Sequence, residues 1–146
     1  MTEPLLSAPI RVLLVEDNPG DADLTRDSLE SGKLMLHIDV AADGEEALDY
    51  LLRKGRHAAA ALPDLIILDI NLPKMDGHQV LAELRRHKHL STIPVIMLTS
   101  SESERDITRS YELGANCYVS KPLDLAAFQS IVRSIEGFWF TVAKLP

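Results

Sequence analysis

The sequence predicts an α/β fold, a (βα)5 arrangement in which five strand–helix units form a doubly wound parallel sheet. Short apolar or β-branched runs alternate with longer segments of helical period along the chain. The runs at 10–15 and 65–68 are continuously apolar, as expected for strands buried on both faces. Strands that alternate with helices at this spacing form parallel sheets with helices on both sides.

Caps and apolar spacing set the bounds of the first two units. The strand at 10–15 leads into a helix over 18–31, because Asn18 is a good residue for a helix cap. The strand at 35–40 alternates apolar and polar residues, which favours a position at the edge of the sheet. A helix over 43–54 has apolar residues at the i, i+3, i+4 spacing of one buried face, and a glycine follows it.

The third unit begins with the strand at 65–68, and a loop at 69–77 leads from it into a helix. Basic residues at 85–89 are expected in the last turn of that helix, because cations favour the negative end of the helix dipole. The remaining elements are a strand at 95–98, a helix at 103–113, a strand at 116–120 and a helix that begins near Asp124.

Composition and charge exclude several classes of protein. A chain of 146 residues is long enough for one domain and leaves no room for a second folded module. Its 15 Lys and Arg against 22 Asp and Glu give a net charge of −7, which argues against nucleic acid or an anionic membrane as partner. The one cysteine, Cys117, cannot form an internal disulfide, and no signal peptide or membrane span is recognisable. We therefore expect a soluble cytoplasmic protein.

Polar residues follow four of the predicted strands, at the positions where open parallel sheets bind ligands. Carboxylates crowded together repel one another unless a cation lies among them, and oxygen ligands suit Mg²⁺. A metal and a lysine together neutralise phosphoryl oxygens, and a carboxylate can attack phosphorus. The pattern therefore predicts a phosphoryl site with Asp69 as its nucleophile. The residues at the strand ends are Glu16 and Asp17, Asp69, Thr99 and Lys121.

Each of these residues also has a simpler interpretation. Glu16 and Asp17 could serve only the N-terminus of the following helix, and Asp69 could be an ordinary turn residue. Thr99 could be a strand-end hydroxyl, and Lys121 could be a surface charge. The joint occurrence of all of them in this chain order favours the phosphoryl site.

Four motifs carry a resemblance to a known family. They read Val15-Glu16-Asp17-Asn18, Leu68-Asp69-Ile70-Asn71-Leu72-Pro73-Lys74-Met75-Asp76-Gly77, Leu98-Thr99-Ser100 and Lys121-Pro122. In this order and spacing they resemble the signature of two-component response regulator receiver domains, whose sheet has the flavodoxin-like order 2-1-3-4-5. Further features are similar to the single-domain regulators that partner phytochrome histidine kinases: the connector at 54–63, Asn71-Leu72-Pro73, Asn116-Cys117-Tyr118 and the ending at 138–146.

The resemblance implies a role for each site residue. Asp69 would accept a phosphoryl group from a phosphohistidine of a sensor kinase, and the chain would act as a switch rather than as an enzyme. Asp17 and Asp69 would bind Mg²⁺ (or Mn²⁺) directly, with the backbone carbonyl of Asn71 as third protein ligand and Glu16 acting through water. Lys121 would pair with Asp69 before transfer and with a phosphoryl oxygen afterwards.

The same resemblance implies a conformational switch. Thr99 would donate a hydrogen bond to the phosphoryl group, and Tyr118 would rotate into the space that the loop after Thr99 leaves. Tyr118 could instead be an aromatic residue on an exposed strand face. The Lys121–Pro122 peptide bond is expected to be cis, as in the family.

Both ends of the chain are expected to lie outside the domain. We assign residues 1–8 to an N-terminal extension, 9–136 to the receiver domain and 137–146 to an aromatic C-terminal extension. The sequence alone leaves two possibilities open, a dimer contact and a tail folded back on its own domain. The family resemblance implies a homodimer through the last helices, the fifth strand and this tail. Three consecutive aromatic residues cannot all face one core, and they are the expected dimer contacts: Phe138, Trp139 and Phe140.

Other functions fit the sequence less well. A phosphatase of the haloacid dehalogenase class needs a second acid two residues after the nucleophile, where this chain has Asn71. A flavin carrier needs a phosphate-binding loop after the first strand, where this chain has two acids that would repel the cofactor. A receiver-like interaction module without phosphoryl chemistry would have no need of an intact Asp69.

Overall fold

The computed structural model describes residues 9–31, 35–100 and 103–130 of the chain. Its strands are β1 (Ile10–Val15), β2 (Leu36–Ala41), β3 (Leu65–Leu68), β4 (Val95–Thr99) and β5 (Cys117–Ser120). They form one sheet in the order β2-β1-β3-β4-β5, and each neighbouring pair is parallel. The predicted doubly wound fold is confirmed, and β2 lies at an edge as its alternating sequence predicted.

Helices follow the strands on both faces of the sheet. They are α1 (Pro19–Glu30), α2 (Gly44–Leu51), α3 (Gly77–Arg86), α4 (Glu104–Glu112) and α5, which begins at 125 and continues to 130, where the described residues end. Each of the first four begins with a side-chain cap that accepts a hydrogen bond from a backbone N–H three residues later. No helix within the described ranges is both long and apolar enough to pass through a bilayer.

Apolar side chains of the sheet divide between two cores. In β1, Leu13 and Val15 join the cluster that contains residues of α2 and α3, whereas Val12 and Leu14 join the cluster that contains residues of α1 and α5. Every residue of β3 and β4 is buried. These central strands therefore hold the residues that follow them at fixed positions along one edge of the sheet.

Most element bounds lie within a residue or so of the sequence-based prediction, and three differences concern α3, α2 and β5. α3 ends at Arg86, so the basic residues at 87–89 lie beyond its last turn. The backbone is extended at His87 and forms a turn at 88–90. α2 ends at Leu51, and a short 3-10 helix forms in the connector that follows. β5 begins one residue later than expected, at Cys117. Asn116 still contacts β4: its backbone N–H donates to the carbonyl oxygen of Val95 at 2.9 Å, and its side-chain Oδ1 accepts the N–H of Val95 at 2.9 Å.

Two glycines allow helices to approach the loop after β3 very closely. A Cβ at Gly77 would lie 2.1 Å from the carbonyl oxygen of Asp69, and a Cβ at Gly44 would lie 2.0 Å from that of Met75. A side chain at either position would force the backbone to move. α3 therefore begins directly against the end of β3.

Candidate functional site

Three acidic side chains meet at the carboxyl ends of β1 and β3. Glu16, Asp17 and Asp69 each place a carboxylate oxygen within 4.8 Å of the other two. Glu16 and Asp69 are buried, with 3% and 5% of their surface exposed, whereas Asp17 is exposed. Residues distant in the sequence come together here because β1 and β3 are adjacent parallel strands, with Val15 opposite Leu68.

Lys121 follows β5 and reaches into this cluster. Its Nζ lies 2.6 Å from Glu16 Oε1, 2.8 Å from Asp69 Oδ2 and 3.2 Å from Asp21 Oδ2. Burial lowers the pKa of Lys121, but the hydrogen bonds to Asp69 and Glu16 outweigh burial, and the pKa is raised overall. The lysine is therefore a fixed positive charge among three carboxylates.

The ionised form of Glu16 is less favoured here than in water. Burial raises the pKa of Glu16, and the hydrogen bond from Lys121 offsets this only in part. Its Oε2 also accepts the backbone N–H of Asn18 at 3.2 Å. Among the described residues, this group has one ammonium and four carboxylates, three that contact Lys121 and that of Asp17 beside them, so it carries an excess of negative charge.

Asn71 and the cis peptide bond shape the backbone beside the acids. The N–H of Asn71 donates to Asp69 Oδ1 at 3.4 Å, within the loop between β3 and α3. The peptide bond between Lys121 and Pro122 is cis. The backbone N–H of Lys121 donates to the carbonyl oxygen of Thr99 at 3.0 Å, which ties the lysine to the end of β4.

Thr99 belongs to β4, and Tyr118 belongs to β5, the strand that precedes Lys121. Thr99 is fully buried at the end of β4. Tyr118 is half-buried in β5, pairs in register with Met97 and packs against the core on the α2 and α3 side. Thr99 therefore lies at the same edge of the sheet as the acids. Tyr118 lies within the sheet, with its side chain partly buried against the core.

Sequence reasoning missed Asp21 and could not place the aromatic tail. Asp21 lies in the first turn of α1, four residues after Asp17. This short separation in the sequence was the signal that could have placed Asp21 near the acids. The predicted dimer contacts lie outside the described residues: Phe138, Trp139 and Phe140.

The donor set fits a divalent cation. Carboxylate oxygens are the ligands that Mg²⁺, Mn²⁺ and Ca²⁺ prefer, and the cluster of Glu16, Asp17 and Asp69 offers one oxygen from each residue. A cation here would relieve the repulsion among acids that a single ammonium leaves partly uncompensated. Among the described residues this is the group of acids, histidines and cysteines that could hold a metal ion.

Comparisons with known proteins agree with this geometry. The family model of the response regulator receiver domain matches residues 12–133. The chain is 39% identical to the response regulator Rcp1 of Synechocystis sp. over 138 residues, which are 94% of each chain.

Two solved structures are also similar to this chain. The phosphorylated cyanobacterial phytochrome response regulator RcpA is 43% identical, with a TM-score of 0.77 and coverage of 95% of this chain and 99% of that one. The Mn²⁺-bound form of response regulator Rcp1 is 39% identical, with a TM-score of 0.75 and coverage of 94% and 99%. With the strand order and the acidic residues at the strand ends, these matches show that the chain belongs to the response regulator receiver domain family.

Proposed function

We propose that the chain accepts a phosphoryl group on Asp69 from a phosphohistidine of a sensor histidine kinase. The observation that carries the proposal is the convergence of Glu16, Asp17 and Lys121 on the Asp69 carboxylate at one end of the sheet. The similarity to RcpA, a phytochrome response regulator whose structure is of the phosphorylated form, supports this chemistry. It also supports a phytochrome as the kinase.

Transfer forms an acyl phosphate. A carboxylate oxygen of Asp69 attacks phosphorus, the bond from phosphorus to the kinase imidazole nitrogen breaks, and the histidine leaves with the electron pair. The Lys121 ammonium, 2.8 Å from Asp69 Oδ2, is placed to stabilise negative charge on the phosphoryl oxygens. The chain is thus a switch that reacts once per phosphoryl group, and not an enzyme that turns over phosphate esters.

We assign the metal to Mg²⁺, with Mn²⁺ as a substitute. Asp17 and Asp69 would bind it directly, the backbone carbonyl of Asn71 would be the third protein ligand, and Glu16 would act through water. When bound, the cation neutralises phosphoryl oxygens during transfer. The Mn²⁺-bound structure of a protein 39% identical to this chain supports the assignment.

Mass spectrometry after incubation with acetyl phosphate and Mg²⁺ tests the proposal. We expect a mass gain of about 80 Da at Asp69, as one phosphoryl group adds to one carboxylate. Asp69→Asn should gain no mass, whereas Asp49→Asn, at an exposed position on α2, should gain mass as the unaltered chain does. A chain that stays unmodified with Mg²⁺ and donor in excess contradicts the proposal, and continued release of phosphate from esters would favour a phosphatase.

We further propose that Thr99 and Tyr118 transmit the phosphorylated state to other proteins in the cytoplasm. A phosphoryl group that makes one to three charge-assisted hydrogen bonds supplies enough differential free energy for a large population shift. The output is proposed to pass through protein contacts of the 9–136 domain, with 1–8 and 137–146 as extensions. The net charge of −7 disfavours nucleic acid or an anionic membrane as the target.

A homodimer through the last helices, β5 and the C-terminal tail is part of the same proposal. Aromatic residues are favoured anchors of protein interfaces. We expect the double variant Phe138→Ala with Trp139→Ala to be phosphorylated normally and to sediment as a smaller species. Sedimentation identical to that of the unaltered chain would contradict the dimer while leaving the phosphoryl chemistry intact.

A further inference from the structure

Asp21 is the third carboxylate that contacts Lys121, and it differs from the other two. Its side chain is 43% exposed, whereas those of Glu16 and Asp69 are 2% and 7% exposed. It is fixed in the first turn of α1, where its own N–H donates to Asn18 Oδ1 at 3.0 Å. Asp21 therefore contacts the lysine from the solvent side of the site.

The same carboxylates that hold Lys121 are needed by a divalent cation. Lys121 Nζ is hydrogen-bonded to Glu16 Oε1 and Asp69 Oδ2, and both residues belong to the cluster that can hold a metal. A cation and an ammonium that share these two carboxylates repel each other, so metal binding is expected to weaken the lysine contacts. An ammonium that is only 15% exposed cannot lose its partners without cost.

Asp21 can receive the lysine without competing with the metal. Among the described residues it stands outside the cluster of three acids, yet its Oδ2 is already 3.2 Å from Lys121 Nζ. The lysine side chain is flexible, and a small shift of its ammonium toward Asp21 keeps one charged partner while the other two acids turn to the cation.

Resting on the proposed function, we infer that Asp21 is a positioning residue: it holds the Lys121 ammonium when a divalent cation takes Glu16 and Asp69. Asp21 thus affects metal affinity through its contact with Lys121. A simpler interpretation is that Asp21 only adds negative charge near the metal. The two interpretations differ in one measurable respect, because the simple charge effect does not need the lysine.

A double-mutant cycle separates them. Calorimetry measures the Kd for Mg²⁺, and separately for Mn²⁺, with Asp21→Asn alone and in a Lys121→Gln background. Asp23→Asn, at an exposed position of the same helix, is the charge-matched control in both backgrounds. Circular dichroism and urea unfolding of each variant establish that it is folded.

We expect Asp21→Asn to weaken metal binding about two- to fivefold more than Asp23→Asn, the range of a partly exposed ion pair. The excess, which is the weakening by Asp21→Asn beyond that by Asp23→Asn, should disappear in the Lys121→Gln background. An equal effect of the two aspartate variants in the natural background, or an excess that persists without the lysine, would overturn the inference while the metal site stands. A natural chain that binds neither cation would overturn the proposed function as well.

Discussion

A half-buried lysine and a buried glutamate show how single residues set the properties of the site. Lys121 has a raised pKa because its hydrogen bonds to Asp69 and Glu16 outweigh its burial, so it stays charged across the physiological pH range. Glu16 has a raised pKa because burial outweighs its bond to that same lysine. The charged form of Glu16 is therefore less stable than the charged form of Lys121. A cation nearby would favour the charged form of Glu16.

Tyr50 gives a second, independent example at the residue scale. The Tyr50 hydroxyl donates to Asp39 Oδ2 at 2.5 Å, and the side chain is buried in α2. Burial, followed by the hydrogen bond to the Asp39 carboxylate, raises the pKa of Tyr50 from 10.0 to about 12. Because the folded state holds this proton more tightly than the unfolded state, Tyr50 stabilises the fold below pH 10, and this contribution is lost as pH rises toward 12.

We predict that Tyr50→Phe removes part of the pH dependence of stability in this window. The natural chain should lose up to about 2 kcal/mol of unfolding free energy between pH 10 and 12 through this residue, and the variant should not. Urea unfolding at a series of alkaline pH values measures the difference, with Tyr111→Phe at an exposed site of α4 as control. Parallel pH profiles for the natural chain and Tyr50→Phe would refute the prediction.

At the scale of elements, polar contacts join α3 to the segments that follow it. Arg85 Nη1 donates to the carbonyl oxygens of Ser91 and Ile93 at 2.9 and 2.8 Å, and its Nη2 donates to that of Gly114 at 2.7 Å. Burial lowers the pKa of the Arg85 guanidinium, which is consistent with this inward position. Arg85 at the end of α3 therefore joins the loop before β4 to the loop before β5, a role beyond the helix dipole.

We predict that Arg85→Lys and Arg86→Lys have very different effects on stability. Lysine cannot reproduce the fork of donors at residue 85, so several partly buried carbonyl groups lose their partner and the unfolding free energy should fall by about 2 kcal/mol. Arg86 is exposed and pairs with Glu83 on the surface, so its replacement should change stability by less than about 0.5 kcal/mol. Urea denaturation of both variants compares them directly, and equal losses would contradict this role of Arg85.

At the scale of the molecule, the order of the strands determines which residues of the site can be predicted from the sequence. Continuous apolar runs identify buried parallel strands, and parallel strands in this order bring Asp69 to the acids after β1 and to Lys121 after β5. The contact between Asp21 and Lys121 could not be predicted in this way, because it depends on how α1 is rotated about its axis. The inward turn of Arg85 likewise depends on where α3 ends, a bound that a run of basic residues does not determine.

Because the site exists only when distant strands are packed together, metal binding should stabilise the whole domain. A cation that binds the folded chain but not the unfolded one adds about 2.7 kcal/mol of unfolding free energy at a concentration of 100 times its Kd. We predict a stabilisation of this size with Mg²⁺ in thermal or urea unfolding, with full reversal by a chelator. Asp17→Asn should remove most of it, since Asp17 belongs to the acid cluster, whereas Asp23→Asn should retain it. Equal stabilisation of the two variants by Mg²⁺ would mean that the cation binds elsewhere on the chain.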